Sequence, residues 1–141
     1  MRVFSVWGFS QSGKTTTIEN IIRELRKRRY RVGSVKNIHC HDFAMDTEGT
    51  NTHRHREAGS QLVTAWGGKE TDILFKERIS LDRILNFYDH DFVVLEGVRD
   101  TNVPKIVTGH TIDDIDDKLD ETVFAISGRV SKEIESYKGI P

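Results

Sequence analysis

Residues 8–15 read Gly-Phe-Ser-Gln-Ser-Gly-Lys-Thr and match the pattern G-x-x-x-x-G-K-[ST] in full. Glycines let the backbone turn sharply, so that successive N–H groups point inward and hold a polyphosphate at a helix N-terminus, where the dipole favours negative charge. In this pattern Lys14 reaches the β- and γ-phosphates, Thr15 ligates Mg²⁺, and Thr16 adds a hydroxyl or N–H to the α-phosphate. The pattern predicts a nucleoside triphosphate site whose contact residues are Gly8, Ser10, Gln11, Ser12, Gly13, Lys14, Thr15 and Thr16.

A second candidate feature is the apolar run 92–95, which ends in Glu96 and Gly97. A buried strand of this kind delivers an acid to the carboxyl edge of a parallel sheet, where ligands bind in open α/β folds. Glu96 can hold Mg²⁺ either directly or through its water shell, and the Gly97 N–H can approach the γ-phosphate. We therefore take Lys14 and Glu96 as candidate catalytic residues, Thr15 and Glu96 as candidate metal ligands, and Gly97 as a further nucleotide contact.

Both features need elements that hold them in place. The run 3–7 is apolar at nearly every position, as is typical of a central parallel strand covered on both faces. After the glycine-rich loop, apolar residues recur at helical spacing and predict a helix over residues 14–29. These are Ile18, Ile21, Ile22 and Leu25. Strand, loop and helix thus occur in the order that a phosphate-binding loop requires.

The rest of the chain reads as alternating strands and helices. Strands are predicted at 32–36, 61–66, 71–75, 92–96, 104–108 and 122–126. Short helices are predicted at 52–58, at 80–88 with Ser80 as N-cap, and at 112–119. Together these elements predict one α/β domain over residues 1–141.

Composition excludes few classes of protein. With 141 residues, 36% of them hydrophobic, the chain can bury a core. A formal net charge of -1 argues for neither nucleic acid nor membrane as partner. Cys40 is the one cysteine, which rules out an internal disulfide and fits a reducing compartment. The N-terminal apolar run is too short for a signal peptide, so we expect a cytoplasmic protein.

The segment 37–59 is polar, has no periodicity and contains four of the six histidines. Three interpretations compete, and we rank first a nucleotide-responsive loop, in which an aspartate approaches Mg²⁺ and an arginine approaches phosphate. A solvated loop without a specific role ranks second. A metal site built on His39, Cys40 and His41 ranks third, because adjacent positions on an extended chain do not converge without a bend. The residues considered for the first role are Asp42, Asp46, Arg54 and Arg56.

Several blocks together resemble the family of molybdopterin-guanine dinucleotide biosynthesis protein B, MobB. They are residues 8–15, Lys36 with 37–43, residues 53–59, and residues 94–97 followed by 104–106. The resemblance implies a three-layer P-loop NTPase-like domain with a mostly parallel sheet flanked by helices. It also implies GTP and Mg²⁺ as ligands, a homodimer, and as partner the nucleotidyltransferase that attaches GMP to molybdopterin.

The chain departs from the family pattern at two places. Thr50 and Asn51 stand where the pattern has Lys-Asp, and Asn37 stands where a histidine is expected. The first departure removes an acidic ligand and predicts weak hydrolysis. A guanine-selecting N-K-x-D motif is absent, so the residues alone specify a triphosphate and not its base.

Four functions remain open. The leading one is a GTP-binding accessory protein of molybdenum cofactor biosynthesis with slow, Mg²⁺-dependent hydrolysis. The others are a non-catalytic adaptor that binds molybdopterin and a partner transferase, a nickel- or zinc-delivering GTPase, and a small-molecule kinase, since the glycine-rich loop serves phosphoryl transfer equally well.

Overall fold

Five parallel strands form a sheet in the order β2-β5-β1-β6-β7, and two antiparallel strands form a separate hairpin, β3-β4. The computed structural model describes all residues, Met1–Pro141. The predicted strands are confirmed to within two residues at their ends. Their observed bounds are β1 Arg2–Trp7, β2 Val32–Lys36, β3 Leu62–Trp66, β4 Thr71–Phe75, β5 Phe92–Glu96, β6 Lys105–Gly109 and β7 Val123–Gly128.

The helices begin where the sequence predicts, to within one residue, but most of them are shorter. They are α1 Lys14–Lys27, α2 Asn51–Glu57, α3 Leu81–Leu85 and α4 Ile112–Asp116, followed by a 3₁₀ turn at Arg129–Lys132. Ser80 caps α3 as predicted, since its hydroxyl accepts a hydrogen bond from the Arg83 N–H.

The predicted end of α1 at Arg29 is wrong by two residues. Arg29 adopts a φ of 69°, in the left-handed region, and its N–H donates to the carbonyl of Arg26. The Tyr30 N–H donates to the carbonyl of Leu25, which completes the Schellman pattern of hydrogen bonds that ends many helices. The backbone therefore stops the helix there, although no glycine marks the position in the sequence.

The predicted helix over 80–88 is also too long, because Tyr88 packs elsewhere. Its hydroxyl donates to the carbonyl of Ser34 over 2.8 Å. A Cβ at Gly33 would lie 2.4 Å from the Tyr88 ring, so the ring covers β2 at the one position without a side chain.

Backbone contacts divide the chain into two compact units. The first unit contains residues 1–39 and 88–141 and carries the five-stranded sheet. The second unit contains residues 40–87 and carries the β3-β4 hairpin with α2 and α3. The expectation of one domain over residues 1–141 stays a prediction.

The first unit has a core on each face of its sheet. On one face Ile18 of α1 packs with Val6, Val94 and Ile106. On the other face side chains from β6, β7, α4 and the 3₁₀ turn pack together, namely Val107, Ile115, Val123, Ile126 and Val130. Burial of each such aliphatic side chain stabilises the fold by about 1.5–3 kcal/mol. The predicted α/β class, a parallel sheet flanked by helices, is confirmed.

Candidate functional site

The candidate site lies where β1 and β5 end beside each other. Their register sets Val6 opposite Glu96, and the register of β2 with β5 sets Lys36 opposite the same glutamate. The glycine-rich loop 8–15, called here the phosphate loop, leaves β1 directly after this point. Parallel pairing therefore brings the phosphate loop and Glu96, which follows Thr15 by 81 residues in the chain, to one edge of the sheet.

Two glycines set the path of the phosphate loop. A Cβ at Gly8 would lie 2.4 Å from the carbonyl and hydroxyl oxygens of Thr108, so only glycine fits without a shift of β6. Gly13 has a φ of 98° and precedes α1 directly. Gln11 also has a positive φ, 62°, which is uncommon for a residue with a side chain and is frequent at functional sites.

Two pairs of hydroxyl groups fix the loop and the start of α1 to the sheet. Ser12 and Thr108 are fully buried, at 1% and 0% exposure, and their hydroxyl oxygens lie 2.6 Å apart. The hydroxyls of Thr17 and Ser127 lie 2.9 Å apart. Because Ser12 points into the protein, only its backbone is available to a ligand, whereas sequence reasoning treated it as an ordinary contact residue.

The start of α1 offers backbone donors. No side chain caps this helix at Gly13. The first N–H groups of an α-helix have no acceptor within the helix, and the helix dipole is positive at this end. The loop and the first turn of α1 therefore form an environment that favours an anion such as phosphate.

Lys14 folds back over the phosphate loop. Its Nζ donates to the carbonyl of Gly8 over 2.9 Å and to that of Phe9 over 2.6 Å. Partial burial lowers the pKa of Lys14, the charge of Glu96 opposes that shift, and the charge of Lys36 adds to it. The ammonium group is thus held by two neutral carbonyls in the absence of a carboxylate partner.

Glu96 meets side chains from two other elements. Its Oε1 accepts a hydrogen bond from the Thr15 hydroxyl over 3.0 Å and lies 3.5 Å from Lys36 Nζ. The Glu96 side chain is only 14% exposed. A hydroxyl oxygen and a carboxylate oxygen therefore lie side by side, and both are ligand types that Mg²⁺ prefers.

A cleft of about 860 Å³ opens over these groups. Every predicted contact residue except Ser12 lines it. Gly97 is among them, but its N–H already donates to the carbonyl of Val6 over 3.0 Å, so contact of that N–H with a γ-phosphate requires this bond to break. The lining residues are Trp7, Gly8, Phe9, Ser10, Gln11, Gly13, Lys14, Thr15, Thr16, Lys36, Asn37, Ile38, His39, Glu96, Gly97, Arg99 and Asp100.

Several lining residues were not among the predicted nucleotide contacts, and they include Trp7, Arg99 and Asp100. The signal for the last two was their position three and four residues after Glu96, because the segment that follows a strand at the carboxyl edge of a parallel sheet borders the ligand. The guanidinium of Arg99 lies over the Trp7 ring, 5.3 Å from its centroid.

The polar segment 37–59 is shared between the two units. His39 lines the cleft of the first unit. Within the second unit, Asp46 accepts hydrogen bonds from the hydroxyls of Thr50 and Thr52 and lies 3.8 Å from Arg56. Burial opposes ionisation of Asp46, but these hydrogen bonds outweigh it and lower its pKa. A role for Asp46 toward Mg²⁺, or for Arg56 toward phosphate, stays a prediction.

The structure contains no preformed ligand set for the transition-metal site considered above. No group of three or more His, Cys, Asp or Glu side chains is arranged to hold a metal ion. Cys40 is exposed, and the exposed His41 ring pairs with Asp42 over 3.0 Å.

The parallel sheet, the glycine-dependent loop and the helix that starts from it define a P-loop NTPase-like protein. A family model described as "Molybdopterin guanine dinucleotide synthesis protein B" matches residues 3–127. The chain belongs to this family, MobB, as its motifs predicted.

Individual relatives agree with this assignment. The chain is 35% identical over 114 residues to a putative molybdopterin-guanine dinucleotide biosynthesis adapter protein of Methanocaldococcus jannaschii, with 76% of this chain and 47% of that protein covered. It is 34% identical over 110 residues to the adapter protein of that name from Haemophilus influenzae, with 74% and 61% covered. The chain thus spans less than two thirds of either relative.

The fold is also similar to that of a solved structure. The crystal structure of Bacillus subtilis MobB superimposes with a TM-score of 0.82 at 25% sequence identity, covering 100% of this chain and 88% of that one. The longest helix here, α1, has 14 residues, and no helix has the length and apolar character that crossing a membrane requires.

Proposed function

We propose that this protein is a GTP-binding accessory protein of molybdenum cofactor biosynthesis that assists the attachment of GMP to molybdopterin. Family membership supports the pathway, because its relatives carry the name of adapter proteins for molybdopterin-guanine dinucleotide biosynthesis. The observation that carries the nucleotide part is the 3.0 Å contact between Thr15 and Glu96 at the mouth of the phosphate loop.

The residues present fit a triphosphate with Mg²⁺. Gly8 and Gly13 allow the loop to turn, and the uncapped start of α1 supplies N–H donors. Lys14 would leave the loop carbonyls for the β- and γ-phosphates, while Thr15 and Glu96 would hold Mg²⁺. The metal neutralises charge on the phosphates. Thr16 and the backbone of residues 10–13 complete the proposed contacts.

Guanine and slow hydrolysis are separate parts of the proposal. The chain has no N-K-x-D motif that would select guanine. The choice of guanine is therefore supported by the family resemblance alone. Slow hydrolysis is supported by Thr50 and Asn51, which stand where the family pattern has Lys-Asp.

A reconstituted transferase reaction tests the proposed function. Molybdopterin, GTP, Mg²⁺ and the partner nucleotidyltransferase are combined with and without this protein, and the rate of dinucleotide formation is measured. We expect the wild-type chain to raise that rate. Lys14→Ala should remove the effect, whereas Lys69→Ala, an exposed lysine in the β3-β4 turn, should retain it. A rate that does not respond to the wild-type chain contradicts the proposal.

A second candidate is an adaptor that binds GTP without needing to hydrolyse it. It is favoured by the hydrogen bond from the Gly97 N–H to the carbonyl of Val6. This bond already uses the N–H that would otherwise donate to a γ-phosphate. The variant Glu96→Gln separates the two functions, with Glu133→Gln, an exposed glutamate, as control. Stimulation and transferase pull-down that persist in Glu96→Gln, while GTP hydrolysis stops, favour the adaptor. Loss of stimulation together with hydrolysis favours the GTPase.

Association with a second copy and with the nucleotidyltransferase is also part of the proposal. It is supported by exposed apolar side chains on one face of the β3-β4 hairpin, Leu62, Trp66 and Ile73. A cytoplasmic location is supported by Cys40, an exposed free thiol of the kind that reducing compartments preserve.

A further inference from the structure

Two buried polar side chains hold the segment that follows β5, residues 97–104, called here the 97–104 loop. Ser5 is 0% exposed, and its hydroxyl donates to the carbonyl of Val98 over 2.6 Å. Lys105 is 3% exposed, and its Nζ donates to the carbonyl of Thr101 and to the Thr122 hydroxyl, each over 2.6 Å. Burial of a hydroxyl, and more so of an ammonium group, is unfavourable unless hydrogen bonds compensate it. Both groups obtain part of that compensation from the 97–104 loop, and Lys105 obtains the rest from Thr122.

The anchored loop brings Arg99 to the cleft. Its guanidinium lies over the ring of Trp7, the residue that immediately precedes the phosphate loop. A cation over an indole ring is stabilised, and its orientation is restricted, without loss of its charge. The hydrogen bonds of Ser5 and Lys105 to the 97–104 loop, together with the Trp7 ring, therefore hold Arg99 next to the phosphate loop.

Arg99 differs from the other two cations of the cleft in its partners. Lys36 pairs with Glu96 over 3.5 Å, and Lys14 is bound by two loop carbonyls. No carboxylate lies within 4.0 Å of the Arg99 guanidinium. Its charge acts on Asp117 from a greater distance and contributes to the lowered pKa of that carboxyl, but no ion pair occupies its hydrogen-bond donors, which can therefore bind an anion. Guanidinium groups bind phosphate through two parallel hydrogen bonds.

We infer that Arg99 binds the terminal phosphate of the triphosphate, and that Ser5 and Lys105 are positioning residues for it. The inference rests on the proposed function and adds a residue that distinguishes a triphosphate from a diphosphate. The terminal phosphate is the one concerned because Arg99 follows Glu96 by three residues, and Glu96 contacts Thr15, whose hydroxyl belongs to the β,γ end of the site. The α-phosphate belongs to Thr16, one residue further into α1.

Calorimetric titration with GTP and GDP in Mg²⁺ tests the role of Arg99. We expect Arg99→Ala to weaken GTP binding about tenfold or more, as loss of a hydrogen bond to a charged group predicts, with a change of less than about twofold for GDP. Arg99→Lys should recover part of the loss. The matched control is Arg23→Ala, an exposed arginine on α1 paired with Glu19, which should change neither affinity. Equal losses for GTP and GDP in Arg99→Ala, or no loss for either, overturn the inference.

Inorganic triphosphate separates this inference from the base assignment. If the wild-type chain binds inorganic triphosphate but not GTP, guanine is wrong, and the same tenfold loss in Arg99→Ala is still expected with inorganic triphosphate. If the wild-type chain binds neither ligand, the proposed function and this inference are both wrong.

The positioning role has its own test. Lys105→Met keeps the length of the side chain and removes its donors, and Ser5→Ala is the milder second variant if Lys105→Met does not fold. Each should lower the ratio of GTP to GDP affinity. Neither should lower it further when combined with Arg99→Ala, because residues that act through one group are not additive. A ratio that stays at the wild-type value in both variants, or losses that add to that of Arg99→Ala, overturn the positioning role.

Discussion

The shape of the phosphate loop depends on single polar groups, of which the buried pair Ser12 and Thr108 is the clearest. Each hydroxyl is the main partner of the other, and neither is exposed. A buried hydroxyl that loses its partner costs more than a typical hydrogen bond contributes, because its desolvation is no longer compensated. The pair therefore favours one conformation of the loop whether or not a ligand is bound.

The first prediction concerns this pair. Thr108→Val keeps the shape and leaves the Ser12 hydroxyl without its partner, so we expect a loss of about 1–3 kcal/mol in the free energy of unfolding, measured in urea. The double variant Ser12→Ala with Thr108→Val should be less destabilised than the sum of the two single variants. Thr71→Val, at an exposed position of β4, is the control and should change little. Strictly additive effects would show that the two hydroxyls do not depend on each other.

The second prediction is a pH dependence. Burial lowers the pKa of Lys14 in the free protein, and a bound phosphate raises it. At a pH between these two pKa values, Lys14 takes up a proton when the triphosphate binds. Affinity for the triphosphate is therefore highest below the pKa of the free protein and falls as the pH rises through this window. Calorimetry in two buffers of different ionisation enthalpy measures the uptake. Lys36→Ala should move the onset to higher pH, since Lys36 lowers the pKa of Lys14. Binding without proton uptake at alkaline pH would contradict this reasoning.

The identity of the site residues could be predicted more readily than the direction in which their side chains point. The motif identified Lys14 and Thr15, and the strand pattern identified Glu96, because these depend on spacing along one strand or loop. The burial of Ser12 depends on Thr108 from a strand 96 residues away. The segment that carries Arg99 is likewise bound by Ser5, whose hydroxyl donates to Val98, 93 residues further along the chain, and no local pattern reports such contacts.

At the scale of elements, β1, the phosphate loop and α1 are held together by close backbone approaches. Gly8 packs on β6, and a Cβ at Gly128 would lie 2.7 Å from the carbonyl of Ser12. The loop is thus enclosed by two strands that follow it late in the chain. Element positions were predictable because apolar periodicity is local, but the ends of α1 and α3 were not. They depend on the conformation of Arg29 and on the packing of Tyr88 over Gly33.

The third prediction tests this enclosure. Gly8→Ala places a Cβ 2.4 Å from two oxygens of Thr108, so the loop or β6 must shift. We expect a destabilisation of about 1–3 kcal/mol, as overpacking usually gives, together with loss of triphosphate binding. Gly68→Ala is the matched control, because nothing lies within 4 Å of its added Cβ and its φ is not positive. Thermal unfolding and calorimetry measure both effects, and normal binding by Gly8→Ala would show that the loop is not held as described.

At the scale of the whole molecule, the sheet and the hairpin occupy different compact units. The parallel sheet could be predicted from buried apolar runs separated by helices. The separate β3-β4 hairpin could not, because a strand pattern does not state which sheet the strand joins. The exposed face of this hairpin has Trp66 at 90% exposure, an unusual position for so large an apolar side chain.

The fourth prediction uses this face to test self-association. Trp66→Ser with Ile73→Ser should change the free energy of unfolding of each chain by less than about 0.5 kcal/mol per site, as is usual at exposed positions. The same double variant should sediment as a monomer at concentrations where the wild-type chain sediments as a dimer. Sedimentation velocity measures this, with Lys69→Ala as a control in the adjacent turn. A wild-type monomer, or a dimer that survives both substitutions, would argue against the hairpin as the contact surface.

We propose that the phosphate loop binds a guanine nucleoside triphosphate through Lys14. Calorimetric titration of GTP and ATP in Mg²⁺, against the wild-type chain and Lys14→Ala, tests it most directly. We expect saturable GTP binding by the wild-type chain, weaker ATP binding, and loss of GTP binding in Lys14→Ala. Absence of GTP binding by the wild-type chain, or GTP binding that is the same in Lys14→Ala, would contradict it.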